Sequence, residues 1–278
     1  MNTETPVVVT AGSLPVVGAT LYYEQRGEGP VVVLAGCPMD ATSFADLAER
    51  LAVDHTVITI DPRGINRSVV DHPEDDVTPE MLADDLAQIV AQLGLGPVAV
   101  FGSSGGAVTA LALAQAHPDR VHTVVAHEPP LNALLDDHEQ LRVGTEDIAA
   151  TYLGGDISGA WVKFLAQANI VMTYDELAAG GPHEPNPQAI ADELFFFAHT
   201  LRPTTSWRPD LDALRNGATR IVVGVGKAST GQGCDRTSQA LASGLGIVRV
   251  SFSGGHLGFM EHADDFAGEL RSALQSAS

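Results

Sequence analysis

The chain alternates short apolar runs with stretches of helical spacing, and this rhythm limits its fold more than any other property of the sequence. Residues 31–35 (VVVLA) form an unbroken apolar run. A strand with one wet face alternates apolar and polar side chains, so an unbroken run belongs to a strand buried on both faces. Such a strand needs helices on both sides of its sheet. Residues 19–25, 56–60, 98–101, 121–126, 220–225 and 247–252 read as further strands. Residues 43–52, 78–93, 106–116, 235–243 and 262–274 read as helices between and after them. Thr78 opens its helix with Pro79 at the first position, where a missing N–H is harmless. The fold class is α/β, with a mostly parallel central sheet and helices on both faces.

The rhythm stops over residues 131–208. This stretch holds helical segments and loops, and it is broken by Gly180-Gly181-Pro182 and Pro185-Asn186-Pro187. It also carries Trp161, Phe164, Met172, Tyr174, Phe195, Phe196, Phe197 and Trp207 in a chain with only 5% aromatic residues. The expected organisation is a core formed by residues 1–130 and 209–278. A helical cap, residues 131–208, is inserted after the strand ending at Ala126. The cap should roof an apolar pocket, with Trp161 and Trp207 touching substrate.

Charge narrows the partners. The 35 acidic and 15 basic residues give a formal charge of −20, a field that repels nucleic acid and anionic membrane surfaces. No window of about eighteen apolar residues suggests a transmembrane helix. The first six residues lack a basic segment leading into an apolar one, so no signal peptide is expected. Two cysteines, Cys37 and Cys234, are too few for a disulfide framework and point to a reducing cytoplasm. The oligomeric state is left open, a homodimer being one arrangement.

The segment Gly102-Ser103-Ser104-Gly105-Gly106 follows a strand and precedes a helix, matching G-x-S-x-G with Ser104 at its centre. Such a turn strains the serine backbone, and the chain passes too close for side chains at the flanking glycines. Ser103 fits poorly as the nucleophile because Phe101 would then fill one of the small positions. A serine hydroxyl needs a base. His256, in Ser253-Gly254-Gly255-His256, follows the last strand and can swing towards Ser104. His127 reads as structural. The base needs a carboxylate to hold its tautomer, and two candidates stand: Glu128 in His127-Glu128-Pro129-Pro130, and Asp235 after the loop 226–231. An oxyanion needs backbone N–H donors. Gly105 follows the nucleophile, and Cys37 is the donor on the loop 36–40, because Pro38 has no N–H. The Cys37 thiol reads as a space-filler. The loop Asp61-Pro62-Arg63-Gly64-Ile65-Asn66-Arg67-Ser68 braces the oxyanion loop. No His, Cys and carboxylate spacing suits a metal, and no G-x-G-x-x-G follows the first strand, so no metal and no cofactor is expected.

Together, the LAGCP strand-loop, the DPRGINRS loop, the FGSSGG turn and the GGH loop resemble the α/β-hydrolase family over essentially the whole chain. The LYYEQRGEGP start, the SSG turn and the HE-x-P segment are similar to the zearalenone lactonases, which open a resorcylic macrolactone. That resemblance implies a serine, glutamate and histidine triad at Ser104, Glu128 and His256, with Cys37 and Gly105 as oxyanion donors.

The expected function is hydrolysis of a carboxylic ester or lactone through an acyl-enzyme, the substrate being a small hydrophobic or aromatic ester or lactone. Epoxide hydrolases and dehalogenases of this fold carry aspartate at the position of Ser104. A perhydrolase or a C–C bond hydrolase carries a similar turn and stands as the alternative. A catalytically dead ligand-binding protein usually lacks a triad member, whereas Ser104 and His256 are both present.

Overall fold

A computed structural model describes residues 8–171 and 186–275. Met172, Tyr174, the 180–182 cluster and Pro185 lie outside the described residues. Among the described residues, nine strands form one sheet: β1 (Val9–Val16), β2 (Ala19–Arg26), β3 (Val31–Ala35), β4 (Thr56–Ile60), β5 (Val69–Val70), β6 (Val98–Ser103), β7 (Val121–His127), β8 (Arg220–Gly226) and β9 (Val250–Phe252). Their spatial order is β1-β2-β4-β3-β6-β7-β8-β9, with the short β5 beside β2. Strands β1 and β2 run antiparallel to their neighbours, and β3, β4, β6, β7, β8 and β9 are parallel.

The apolar runs divide between two cores by their period of two. Val33, Ile58, Val100 and Val124 face one core, beneath α2 (Pro79–Gln92) and α3 (Gly105–Ala116). Val32, Val57, Phe101 and Val125 face the other, beneath α1 (Ala45–Leu51) and the later α11 (Ala263–Gln275). Neither face of these strands can be polar, which is why the runs are continuous. The Thr78 hydroxyl accepts from Met81 N at 3.3 Å and caps α2, with Pro79 at its start, a device that stabilises a helix by about 1 kcal/mol. Helix α3 is buried from Gly105 through Ala114. Its sequence, GGAVTALALA, is small and apolar all round because it has no wet face.

Two strands went unread in the sequence. Strand β1 lies at the sheet edge with its first three residues exposed, and Gly12 and Pro15 interrupt its apolar pattern. Strand β5 is only two residues long. Residues 247–249 precede β9 rather than belonging to it, and Val248 is exposed.

Residues 131–208 contribute no strand among those described. They form α4 (His138–Leu153), α5 (Ile157–Ala168), α6 (Pro187–Phe195), a π-helical turn at Phe196–Thr200 and α7 (Leu201–Ser206). Their own cluster holds Ile148, Tyr152, Ala160, Phe197 and Leu201, and Tyr152 stacks on Phe197 with ring centroids 4.2 Å apart. The insertion is tied to the sheet edge by Asp192, whose carboxylate accepts from Asn66 N at 2.8 Å. Val77 N donates to His199 O at 3.0 Å beside it. The chain then returns through α8 (Leu211–Asn216), β8, α9 (Gly233–Leu245), β9, α10 (Gly258–Glu261) and α11.

Candidate active site

The parallel registers bring four loops to one edge of the sheet. Ala35 pairs with Gly102, Ser103 with His127, and Gly226 with Phe252. The residues that follow, 36–40, 104–105, 128–130 and 253–257, therefore emerge side by side at the carboxyl ends of the strands, where open α/β sheets place ligands.

Ser104 sits between β6 and α3 with φ 55° and ψ −125°, a conformation that a side chain adopts only when its surroundings enforce it. A Cβ on Gly102 would overlap the Gly106 carbonyl oxygen, and one on Gly106 would overlap that of Ala35. Both glycines are thus fixed by the same close passage that forces Ser104 outward. Ser104 N donates to His127 O at 3.0 Å. Ser103 points the other way: it is fully buried, with Oγ 3.2 Å from His127 Nδ1.

Glu128 directly follows β7 with φ 52°, and its side chain is fully buried. Oε1 accepts from Gly226 N at 2.8 Å, and Oε2 lies 2.6 Å from His256 Nδ1. Burial alone would raise the carboxyl pKa, but the hydrogen bond and charge of His256 outweigh it and hold the group at about 2. Glu128 is therefore an anion at neutral pH. For His256, burial works against the cation, while the Cys234 sulfur and the Glu128 carboxylate raise its pKa above the ordinary imidazole value. Its loop is pinned by Ala228 N to Gly254 O at 2.9 Å and by Ser253 N to Glu269 Oε2 at 2.6 Å.

The second carboxylate candidate faces elsewhere. Asp235, in the first turn of α9, accepts from Gly231 N at 2.8 Å and from Arg249. It closes its own loop and makes no bond to His256. His127 is sealed among Phe101, Phe252 and Phe266, and burial lowers its pKa to about 4. Cys37 is buried beside the Ser104 turn, and a Cβ on Gly105 would stand 2.6 Å from its carbonyl oxygen. Burial pushes the Cys37 thiol up to about 12, so it remains protonated and unreactive. The loop around it is braced as its sequence suggests. Ala41 N donates to Asp61 Oδ1 at 2.9 Å, and Asn66 Nδ2 donates to Asp40 Oδ2 at 2.7 Å.

Ser104, Gly105, Cys37 and His256 all open onto one cleft. Among the described residues, no hydrogen bond joins Ser104 Oγ to His256, a looseness common in unliganded sites. Ile148, Phe164, Phe196 and Leu201 of the insertion form the apolar roof. Asn132, Thr204, Gln232 and Cys234 supply neutral polar edges, and apart from His256 no ionisable nitrogen or carboxylate among the described residues lines the cleft.

The tryptophan expectation needs correction, since neither ring lines this cleft. Trp207 packs into the main core and donates from Nε1 to Glu80 Oε1 at 2.7 Å, anchoring the chain where it rejoins the sheet. Trp161 stands edge-on to Phe164 and Phe197, with centroids 5.4 and 5.1 Å away, and supports the roof from within the insertion. Size and aromaticity marked both residues, but only three-dimensional packing distinguishes a roof from its buttress. Cys234 and Thr204 went unremarked in the sequence as cleft residues. The only signal for Cys234 was its place at the start of a helix beside the His256 loop.

A family profile for the α/β hydrolase fold matches residues 29–157. An uncharacterized hydrolase of Bacillus subtilis, YraK, is 30% identical over 277 residues, covering 97% of each chain. The chain belongs to the α/β-hydrolase family. A zearalenone hydrolase of Bionectria ochroleuca is 30% identical over 267 residues, covering 90% of this chain and 92% of that one. Among solved structures, a hydrolase from Pseudomonas aeruginosa matches with a TM-score of 0.72 at 19% identity, over 96% of this chain and 98% of that one. Within the α/β-hydrolase plan, this chain carries its buried carboxylate partner of His256 at the end of β7. The loop after β8 presents Ser229 and Thr230 instead.

Proposed function

We propose that the chain is a serine hydrolase that cleaves a carboxylic ester or lactone through an acyl-enzyme. The observation that carries this reading is the 2.6 Å contact between His256 Nδ1 and a buried, ionised Glu128, opening onto the same cleft as a strained Ser104. Ser104 attacks the carbonyl while His256 takes its proton and returns it to the leaving oxygen. Glu128 keeps Nδ1 protonated, so that Nε2 is the basic nitrogen, and it steadies the imidazolium. The N–H groups of Cys37 and Gly105 receive the oxyanion. A water activated by His256 then releases the acid and frees Ser104.

The cleft favours a neutral, hydrophobic substrate, because its roof is aliphatic and aromatic and its edges are uncharged. The relative named for zearalenone hydrolysis supports a lactone as the first substrate to test. Residues 131–208 act as the cap that supplies this roof. The free thiols of Cys37 and Cys234 suit a reducing cytoplasm, and no helix among the described residues is long and apolar enough to cross a membrane.

The test is a fluorophosphonate probe followed by peptide mapping, with a panel of aryl esters, alkyl esters and lactones alongside. Ser104 should be labelled, and Ser104→Ala should lose both the label and turnover, with rates reduced on the order of 10⁴-fold or more. Labelling elsewhere, or a Ser104→Ala variant that keeps a tenth of the activity, overturns the reading.

A further inference from the structure

The cleft contains one group that the proposed hydrolysis does not use. Cys234, at the start of α9, lines the wall next to His256. It is a free, partly buried thiol. Donor atoms of Glu128, Cys234 and His256 all lie within 4.8 Å of one another. We propose that these three side chains form an inhibitory site for a thiophilic divalent cation, Zn²⁺ in particular, which binds at the expense of the His256 base.

The donor set argues for the cation class. A thiolate, an imidazole and a carboxylate are the ligands Zn²⁺ takes, whereas Mg²⁺ and Ca²⁺ prefer all-oxygen sites. Two anionic donors and one neutral imidazole balance a +2 charge. The thiol gives up its proton to solvent when the metal–sulfur bond forms. Entry is open, since Cys234 and His256 both face the cleft, and a net charge of −20 concentrates cations at the surface. The cleft leaves room for water as a fourth ligand.

Distances explain why the bound ion inhibits. Zn–S and Zn–N bonds of about 2.3 and 2.1 Å place neighbouring tetrahedral donors about 3.6 Å apart. Glu128 Oε2 and His256 Nδ1, however, are only 2.6 Å apart, too close to share an ion while their hydrogen bond stands. An ion on Nδ1 must break that bond. An ion on Nε2 keeps Glu128 behind the ring as the partner of Nδ1 rather than as a direct ligand, and takes the lone pair needed to accept the Ser104 proton. Either way the imidazole ceases to act as a base, so the inhibition rests on the proposed role of His256.

The experiment uses the full chain, with Zn²⁺, Co²⁺ and Mg²⁺ as probes. Calorimetric titration measures Zn²⁺ binding, and Co²⁺ reports a thiolate ligand through its near-ultraviolet charge-transfer band. The wild type and Ser104→Ala should both bind one ion and show the band. Cys234→Ala should lose the band and bind Zn²⁺ at least tenfold more weakly. In activity assays, Zn²⁺ should inhibit the wild type reversibly, a chelator should restore it, and Mg²⁺ should do nothing. Cys234→Ala should need at least tenfold more Zn²⁺ for half-inhibition, read as a ratio to its own metal-free rate. If Cys234→Ala binds Zn²⁺ and is inhibited like the wild type, the site is overturned while the hydrolase reading stands. If Zn²⁺ binds through Cys234 without slowing turnover, the ion does not engage His256 and the inhibitory role is overturned, while the hydrolase reading stands.

Discussion

Exchange of Glu128 for glutamine isolates a charge from a shape. The carboxylate has two fixed duties, accepting from Gly226 N at 2.8 Å through Oε1 and meeting His256 Nδ1 at 2.6 Å through Oε2. A glutamine fills the same volume, but its two ends differ. Its oxygen has to face the Gly226 N–H, because an amide NH₂ there would oppose another donor. The NH₂ then faces His256 Nδ1, which must give up its proton to act as acceptor. The ring proton moves to Nε2, towards Ser104, and the base is lost. An exchange of this kind in a serine triad lowers kcat by about 10⁴, a barrier increase of about 5.4 kcal/mol. Glu128 does not line the cleft, so the loss should fall on kcat and leave KM nearly unchanged. Both hydrogen bonds survive in altered form, so stability should change by about 1 kcal/mol, a shift of roughly 2–4 °C in Tm for a chain of this size. Steady-state kinetics on an aryl ester, with a thermal melt of the same sample, measures both quantities. The companion Asp235→Asn should lose roughly 1 kcal/mol of stability from its loop and Arg249 contacts and less than threefold in rate. A Glu128→Gln variant that keeps a tenth of the kcat, or an Asp235→Asn variant that loses more, refutes the assignment of the acid.

Three further outcomes are expected. Protonated His256 cannot accept the Ser104 proton, so kcat/KM should rise with pH through the pKa of the imidazole. Cys234 and Glu128 raise that pKa over the effect of burial, so the acidic limb should lie above pH 6.5 and move down in Cys234→Ala; a wild-type limb below 6.5 contradicts this. Thr204 borders the cleft with a buried hydroxyl whose neighbour is the weakly bonding Cys37 thiol, and a bound substrate oxygen can satisfy it. Thr204→Val should cut kcat/KM about 2- to 12-fold, the equivalent of one hydrogen bond, without lowering Tm; unchanged kinetics would show that the hydroxyl meets nothing in the complex. Phe164→Ala and Phe196→Ala remove roof area, and should raise KM for bulky aryl esters about tenfold while changing KM for acetates little. Equal effects on both esters would take these rings out of substrate contact.

The sequence discloses the centre of the molecule better than its periphery. Strands β3, β6 and β7 are buried on both faces, so their apolar runs admit one reading. The Ser104 turn is equally legible, because the close approach of Gly106 to the Ala35 carbonyl tolerates no side chain. Strand β1 is different: half in water and held mainly by β2, it has no need of a regular pattern. Glu128 could be weighed against Asp235 from chain order alone. The distinction became physical only once the register placed His127 opposite Ser103, which puts Glu128 beside the Ser104 turn. The roof was legible as a class of residue and illegible as a list. Phe164 and Trp161 are three residues apart on α5, yet the first faces the cleft and the second faces Phe197. Nothing in their spacing says which side of the insertion is hollow.

Because the carboxylate that serves His256 stands at the end of β7, the segment joining β8 to α9 has no charge to hold in register. That segment still reaches the cleft through Gln232, Gly233 and Cys234. In a fold where this stretch also had to aim the acid, any insertion or deletion would disturb both fit and rate together. Here the acid stands apart from that stretch, so the wall at Gln232 and Gly233 can be recut for a new substrate as long as Ala228, which pins the His256 loop, and Cys234, which raises the His256 pKa, are kept.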